Sequence, residues 1–181
     1  MSVNLSVKIG KLKLKNPVMV ASGTFGYAEE FKDFLDLRKL GAIVTKTITL
    51  RPHLGNPLPR TCETPSGLLN SIGLENPGIE IFIKEKLPFL KKIGVPIIIS
   101  IAAENGQDEF IELARRLDKI KEIAGIELNI SCPNIKLSRL IAQDAKATYS
   151  LVSKVRKITR KTLITKLSPN VTDITEIAQA A

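Results

Sequence analysis

Five short, largely apolar runs constrain the fold of this chain more than any other feature. They occupy residues 17–21, 42–45, 96–101, 126–130 and 163–167. Runs that are apolar throughout, rather than alternating with polar residues, are typical of strands buried on both faces of a parallel sheet. Most of the segments between them have the apolar spacing of helices. The sequence therefore predicts an α/β fold in which a β/α unit repeats about five times.

The number of units indicates part of a β/α barrel. An eight-fold (TIM) barrel usually needs about 250 residues, and this chain has 181. Residues 5–14 alternate around Gly10 and Lys11, which predicts a small amino-terminal β-hairpin. Residues 50–77 are rich in Pro, Gly and Asn and are interpreted as a long functional loop. We expect one domain over residues 1–181, of (β/α)8-barrel type and truncated after about five units.

Composition argues against several classes of function. The net charge is +9, but the basic residues are scattered and aromatic residues make up only 4%, which does not favour a nucleic-acid surface. No apolar run approaches the roughly 18 residues of a membrane helix, and the amino terminus has no signal-peptide pattern. We expect a cytoplasmic chain with reduced thiols and no nucleic-acid or membrane partner.

Polar side chains stand at the ends of the predicted strands, where β/α barrels keep their reacting groups. They are Ser22, Lys46, Thr47, Ser100, Asn129, Cys132 and Lys166. Two lysines, a thiol and amides around one cavity indicate an anionic ligand and proton transfer. Lysines are usually surface residues and free cysteines usually core residues, so each assignment has a structural alternative. Lys46 and Lys166 differ from most lysines because each lies directly at the end of an apolar run.

These residues also lie in motifs that resemble a known family. The motifs are NPVMVASGTFGY at 16–27, KTIT at 46–49, GNPLPR at 55–60, the stretch 63–78, NISCPN at 129–134 and KLSPNVTD at 166–173. Together they resemble the class 1, B-type dihydroorotate dehydrogenases, in the family's order and along the whole chain. Cys132 stands where the soluble branch of that family has cysteine and the membrane-bound branch has serine, so the chain resembles the soluble branch.

The resemblance implies an FMN enzyme that oxidises (S)-dihydroorotate to orotate in de novo pyrimidine biosynthesis. It implies that Cys132 is the general base at C5, while FMN takes the C6 hydride. The implied FMN-binding residues are Ser22, Lys46, Thr47, Ser100, Asn129 and Lys166. The implied substrate-binding residues are Lys46, Asn70, Ser71, Ile72, Gly73, Leu74, Asn129 and Asn134. The implied partner is a subunit that carries FAD and an iron–sulfur cluster, in a heterotetramer that passes electrons to NAD.

The sequence also departs from the family's pattern. The family's sixth to eighth strands would supply a further pair of substrate-binding residues and the glycines that hold the FMN phosphate. This sequence has no counterpart of them. We therefore expect this chain to be the amino-terminal part of the enzyme, from an incomplete reading frame, and weakly active or inactive alone. Residues 137–140 (LSRL) stand where the family tends to have glycines, which puts closure of the loop beside the base in question.

Two other functions remain open from the sequence. An FMN barrel acting on RNA, such as a tRNA-dihydrouridine synthase, also places Cys-Pro after a strand and suits the basic charge. A non-catalytic remnant of the dehydrogenase is the other. Cys62 is interpreted as structural. His53, the single histidine, is interpreted as a surface residue with no metal partners nearby in the sequence, so no metal site is expected.

Overall fold

A computed structural model describes residues 3–131 and 140–181 of the chain. Its centre is a curled sheet of five parallel strands, which lie side by side in the order in which they follow along the chain. These strands are β3 (Met19–Val20), β4 (Ala42–Val44), β7 (Ile97–Ile101), β8 (Ile123–Asn129) and β9 (Thr162–Lys166). Every predicted apolar run overlaps one of them, and the prediction of a parallel half-barrel is confirmed.

Helices cover the outer face of this sheet. They are α1 (Gly78–Ile81), α2 (Leu87–Ile93), α3 (Gln107–Asp118), α4 (Ala145–Ile158) and α5 (Ile174–Ala180). A π-helical turn, Phe82–Lys86, joins α1 to α2. Phe82 and Phe110 from the helices pack with Ile99 and Ile126 from the sheet in one buried cluster. This burial explains why the strands carry no polar alternation.

The amino-terminal hairpin packs against the inner face of the sheet. Strands β1 (Val7–Ile9) and β2 (Leu12–Leu14) pair in antiparallel register, as predicted. Leu14, only 1% exposed, forms a second cluster with Ala42, Val44 and Ile98. Partly buried Met19 and Ile164 pack against the same cluster. The hairpin therefore supports the sheet at the end opposite to the strand-end polar residues.

Residues 31–37 have the apolar spacing that predicts a helix, but the prediction of a helix there is wrong. The helical spacing at residues 31–37 gives only two short 3₁₀ turns, Glu29–Phe31 and Leu37–Lys39. Asp36 accepts a hydrogen bond from the Arg38 backbone N–H at 3.1 Å and so starts a separate turn, which competes with a continuous helix. Phe34 of the expected buried face is 85% exposed.

The long loop contains a second hairpin that the sequence did not predict. Strands β5 (Thr61–Thr64) and β6 (Gly67–Asn70) pair around a two-residue turn, with Thr61 opposite Asn70. All eight strand residues are exposed, so neither strand has the apolar alternation by which strands are recognised. No helix in the described ranges is long and apolar enough to cross a membrane.

Candidate active site

A cavity of about 360 Å³ lies at the carboxyl ends of the parallel strands. It is lined by Ser22, Gly23, Lys46, Thr47, Asn70, Ser71, Ile72, Gly73, Leu74, Asn129 and Lys166. The parallel arrangement brings residues that are far apart in sequence to one end of the sheet. We call this cavity the strand-end cavity.

A buried hydrogen-bond network forms the floor of the strand-end cavity. The Asn129 Nδ2 donates to the Thr47 Oγ1 at 3.0 Å, and the Thr47 and Ser100 hydroxyls lie 2.9 Å apart. The Ser131 hydroxyl donates to the Asn129 Oδ1 at 2.9 Å. Because both ends of the Asn129 amide are engaged, its orientation is fixed.

The two strand-end lysines give the strand-end cavity its charge. Lys166 is the register partner of Asn129 across β8 and β9. Lys46 lies two residues after the end of β4, and its backbone N–H donates to the Gly26 carbonyl at 2.7 Å. Both lysines are half-buried, and the lining contains no Asp or Glu. This wall suits an anionic ligand, because a partly desolvated cation gains more from an opposite charge than one in bulk water.

The loop at residues 70–74 closes one side of the strand-end cavity. Hydrogen bonds hold it against Asn56, earlier in the same chain. The Asn56 Nδ2 donates to both the carbonyl and the hydroxyl of Ser71, each at 2.9 Å. The Asn56 backbone N–H donates to the Ile72 carbonyl at 3.1 Å. Gly73 has φ +73°, and a Cβ there would meet the Asn56 backbone N at 2.7 Å. The loop is therefore held close enough to require glycine.

The end of this loop is fixed by Asn76. Its Oδ1 accepts hydrogen bonds from the backbone N–H groups of Thr49 at 3.0 Å and Gly78 at 2.9 Å. Its Nδ2 donates to the Leu74 carbonyl at 2.9 Å. Leu74 itself has φ +60°, unusual for a residue with a side chain. The strain is tolerated because the flanking hydrogen bonds determine the loop's path.

The structure brings together most of the predicted site residues. Every predicted FMN- or substrate-binding residue in the described ranges lines the strand-end cavity except Ser100, which supports Thr47 from behind. Cys132 and Asn134 lie outside the described residues. The binding and catalytic roles of all the predicted site residues stay predictions. The sequence did not predict that Asn56 and Asn76 hold the loop at 70–74 in place. The only indication was that they lie next to Gly55 and Pro77, in a loop rich in turn residues.

The predicted cofactor can be tested against the donors that are present. The strand-end cavity offers the amide of Asn129, the hydroxyls of Ser22 and Thr47, and the ammonium of Lys166. A flavin ring presents hydrogen-bonding nitrogen and oxygen atoms along one edge and gains negative charge on reduction. These residues fit such an edge.

Comparison with known proteins places the chain in a family. The family model described as dihydroorotate dehydrogenase matches residues 4–181. The dihydroorotate dehydrogenase B (NAD(+)) catalytic subunit of Geotalea uraniireducens is 54% identical over 178 residues, covering 98% of this chain and 58% of its own length. The subunit of the same name from Trichlorobacter lovleyi is 55% identical over 177 residues, covering 97% and 58%.

A solved structure shows the same fold. DHODH from Eimeria tenella, crystallised in complex with ferulenol, superposes with a TM-score of 0.76 at 23% identity, covering 98% of this chain and 56% of that one. The chain thus spans a little over half the length of the proteins it matches. The predicted resemblance to the B-type enzymes is confirmed by the names of these relatives. This chain belongs to the dihydroorotate dehydrogenase family.

Proposed function

We propose that this chain contributes to the active site of a dihydroorotate dehydrogenase B, which oxidises (S)-dihydroorotate to orotate in de novo pyrimidine biosynthesis. The observation that carries the proposal is the convergence of Lys46, Asn70, the loop at 71–74, Asn129 and Lys166 on one cavity. Membership of the family supplies the reaction, and the cavity's chemistry supports the substrate.

The substrate would be held as an anion. The Lys46 ammonium is the group best suited to the substrate carboxylate, because it is half-buried and no acid lines the strand-end cavity. The amides of Asn70 and Asn129 offer both donors and acceptors to a ring that carries N–H and C=O groups. The supported loop then covers the ring and excludes water from the reacting carbons.

FMN is the cofactor that we infer. When bound, it accepts the two electrons that leave the substrate with the C6 hydrogen. The residues that would hold it are Ser22, Lys46, Thr47, Ser100, Asn129 and Lys166. The Lys166 ammonium would favour the negative charge on the reduced ring, and the Thr47–Ser100 pair would keep the Asn129 amide turned toward its ligand.

We assign proton removal to Cys132. In the sequence it follows Ser131, whose hydroxyl bonds to Asn129 on the floor of the strand-end cavity. The basic form of cysteine is the thiolate, which nearby cations favour. A positioned base takes the C5 proton as the bond to the C6 hydrogen breaks, which leaves the C5–C6 double bond of orotate.

The same proposal includes a partner. The relatives are named catalytic subunits, and we infer a second subunit that carries FAD and an iron–sulfur cluster, with NAD as the final electron acceptor. Co-purification with such a subunit and NAD-dependent turnover of the complex would test this. A cytoplasmic location stays a prediction from the sequence.

The two cysteines provide the test of the reaction. Anaerobic addition of dihydroorotate to the FMN-loaded chain should bleach the flavin's visible absorbance in a single turnover. Cys132→Ala should slow this bleaching by about 100-fold or more, since general bases contribute about that much. Cys62→Ala, on the exposed hairpin, should leave the rate unchanged. Equal bleaching rates in wild type and Cys132→Ala would contradict the assignment of Cys132 as the base.

A further inference from the structure

A second cavity, of about 380 Å³, lies next to the strand-end cavity. It is lined by Tyr27, Lys46, Pro52, His53, Leu54, Glu75, Asn76, Pro77 and Lys86. Lys46 is the one residue shared by the two linings. We call it the side cavity. The proposed reaction gives it no role.

The charged groups of the side cavity are predominantly positive. Lys46 and Lys86 are both half-buried, and within residues 3–131 and 140–181 neither forms an ion pair. Residues 132–139 contain no Asp or Glu that could supply one. The single carboxylate of the wall, Glu75, is already paired with Arg60. Two lysine side chains that have no acid of their own therefore line this space.

Two neutral donors add to the lysines. The His53 Nδ1 accepts a hydrogen bond from the Gly55 backbone N–H at 3.1 Å, so the proton of the neutral ring is on Nε2. The Tyr27 side chain is 6% exposed, and its hydroxyl has no partner among the described residues. Burial, with a smaller effect from Glu30, raises the pKa of Tyr27, so the hydroxyl keeps its proton. A buried donor without a partner is costly unless a ligand or water pairs with it.

The walls of the side cavity are preorganised. The backbones of His53 and Asn76 exchange two hydrogen bonds, each 2.9 Å long, and the Asn76 side chain fixes the start of α1. Lys86 is carried by the π-helical turn, a feature frequent at functional sites. Pro52, Leu54 and Pro77 give one side an apolar surface.

We propose that the side cavity binds a small organic anion, with a carboxylate or phosphate group between Lys46 and Lys86 and an apolar body against Pro52, Leu54 and Pro77. A ligand there draws the Lys46 ammonium away from the strand-end cavity. The two cavities therefore bind anions antagonistically without overlapping. The binding claim stands alone, whereas the antagonism rests on the proposed role of Lys46 in substrate binding.

The single histidine makes this testable by NMR. Benzoate and phenylphosphate, which carry the two candidate head groups, should shift the His53 ring resonances in a saturable way, and neutral benzamide should not. A response to either anion supports the site, and the stronger one identifies the head group. Lys86→Met should weaken that anion's binding at least about tenfold, the typical effect of losing a charge-assisted contact.

Lys84→Met is the matched control, because Lys84 lies in the same turn but is exposed and outside the lining. It removes the same charge and should leave the affinity unchanged. Tyr27→Phe, which deletes only the hydroxyl, should also weaken binding. No shift of His53 with either anion, or equal losses in Lys86→Met and Lys84→Met, would overturn the site.

Orotate separates this inference from the proposed function. Saturating benzoate should weaken orotate binding severalfold in wild type and much less in Lys86→Met. Orotate binding that is insensitive to benzoate would overturn the antagonism. If orotate does not bind while benzoate shifts His53, the proposed function fails and the side cavity stands.

Discussion

At the scale of single residues, Thr47 connects the fold to the candidate site. Its hydroxyl is buried and joins Ser100 to the Asn129 amide. Thr47 lies just after β4 and Asn129 ends β8, 82 positions apart in sequence. The hydroxyl therefore links the end of β4 and β7 to the Asn129 side chain of β8. These groups are buried, where a polar group without a hydrogen bond is costly.

Thr47→Val tests this role, since it keeps the shape of the side chain and removes the hydroxyl. We expect the free energy of unfolding to fall by about 1–3 kcal/mol, because Ser100 and Asn129 each lose a partner. Orotate affinity should also fall, because the amide loses its fixed orientation. Urea denaturation and calorimetry measure the two effects. Thr172→Val, at an exposed position, is the control, and matching results for the two variants would refute the role.

At the scale of elements, the predictable parts are those with a burial pattern. Strands β7 and β8 are buried along nearly their whole length, so their sequences alone identify them as parallel strands. The β5–β6 hairpin is exposed throughout and has no such signal. Strand-end reasoning likewise found Lys46 and Lys166 but not Asn56, whose role depends on hydrogen bonds to a loop backbone that no spacing rule encodes.

The loop at 70–74 gives a prediction with a matched control. Gly73 and Gly94 both have positive φ, +73° and +77°, but a Cβ at Gly73 would meet the Asn56 backbone while one at Gly94 would meet nothing within 4 Å. Gly94→Ala should cost about 1 kcal/mol in stability from backbone strain alone. Gly73→Ala should cost more and should also weaken orotate binding. Equal costs with unchanged orotate affinity in both variants would show that the loop adapts freely.

At the scale of the whole molecule, the two ends of the sheet have different tasks. The hairpin β1–β2 and the Leu14 cluster fill the inner face at one end with apolar side chains. The carboxyl ends of the strands carry the polar and cationic residues. This separation of an apolar end from a polar end is typical of β/α barrels. The five parallel strands of this chain are enough to produce it.

We propose that the strand-end cavity binds the substrate as an anion through Lys46. Calorimetric titration of orotate into the FMN-loaded chain tests it most directly, with Lys46→Met compared with Lys84→Met, which removes the same charge at an exposed site. We expect orotate to bind wild type and Lys84→Met with equal affinity, and Lys46→Met at least about tenfold more weakly. Equal affinity in the two variants, or no binding to the wild-type chain, would contradict it.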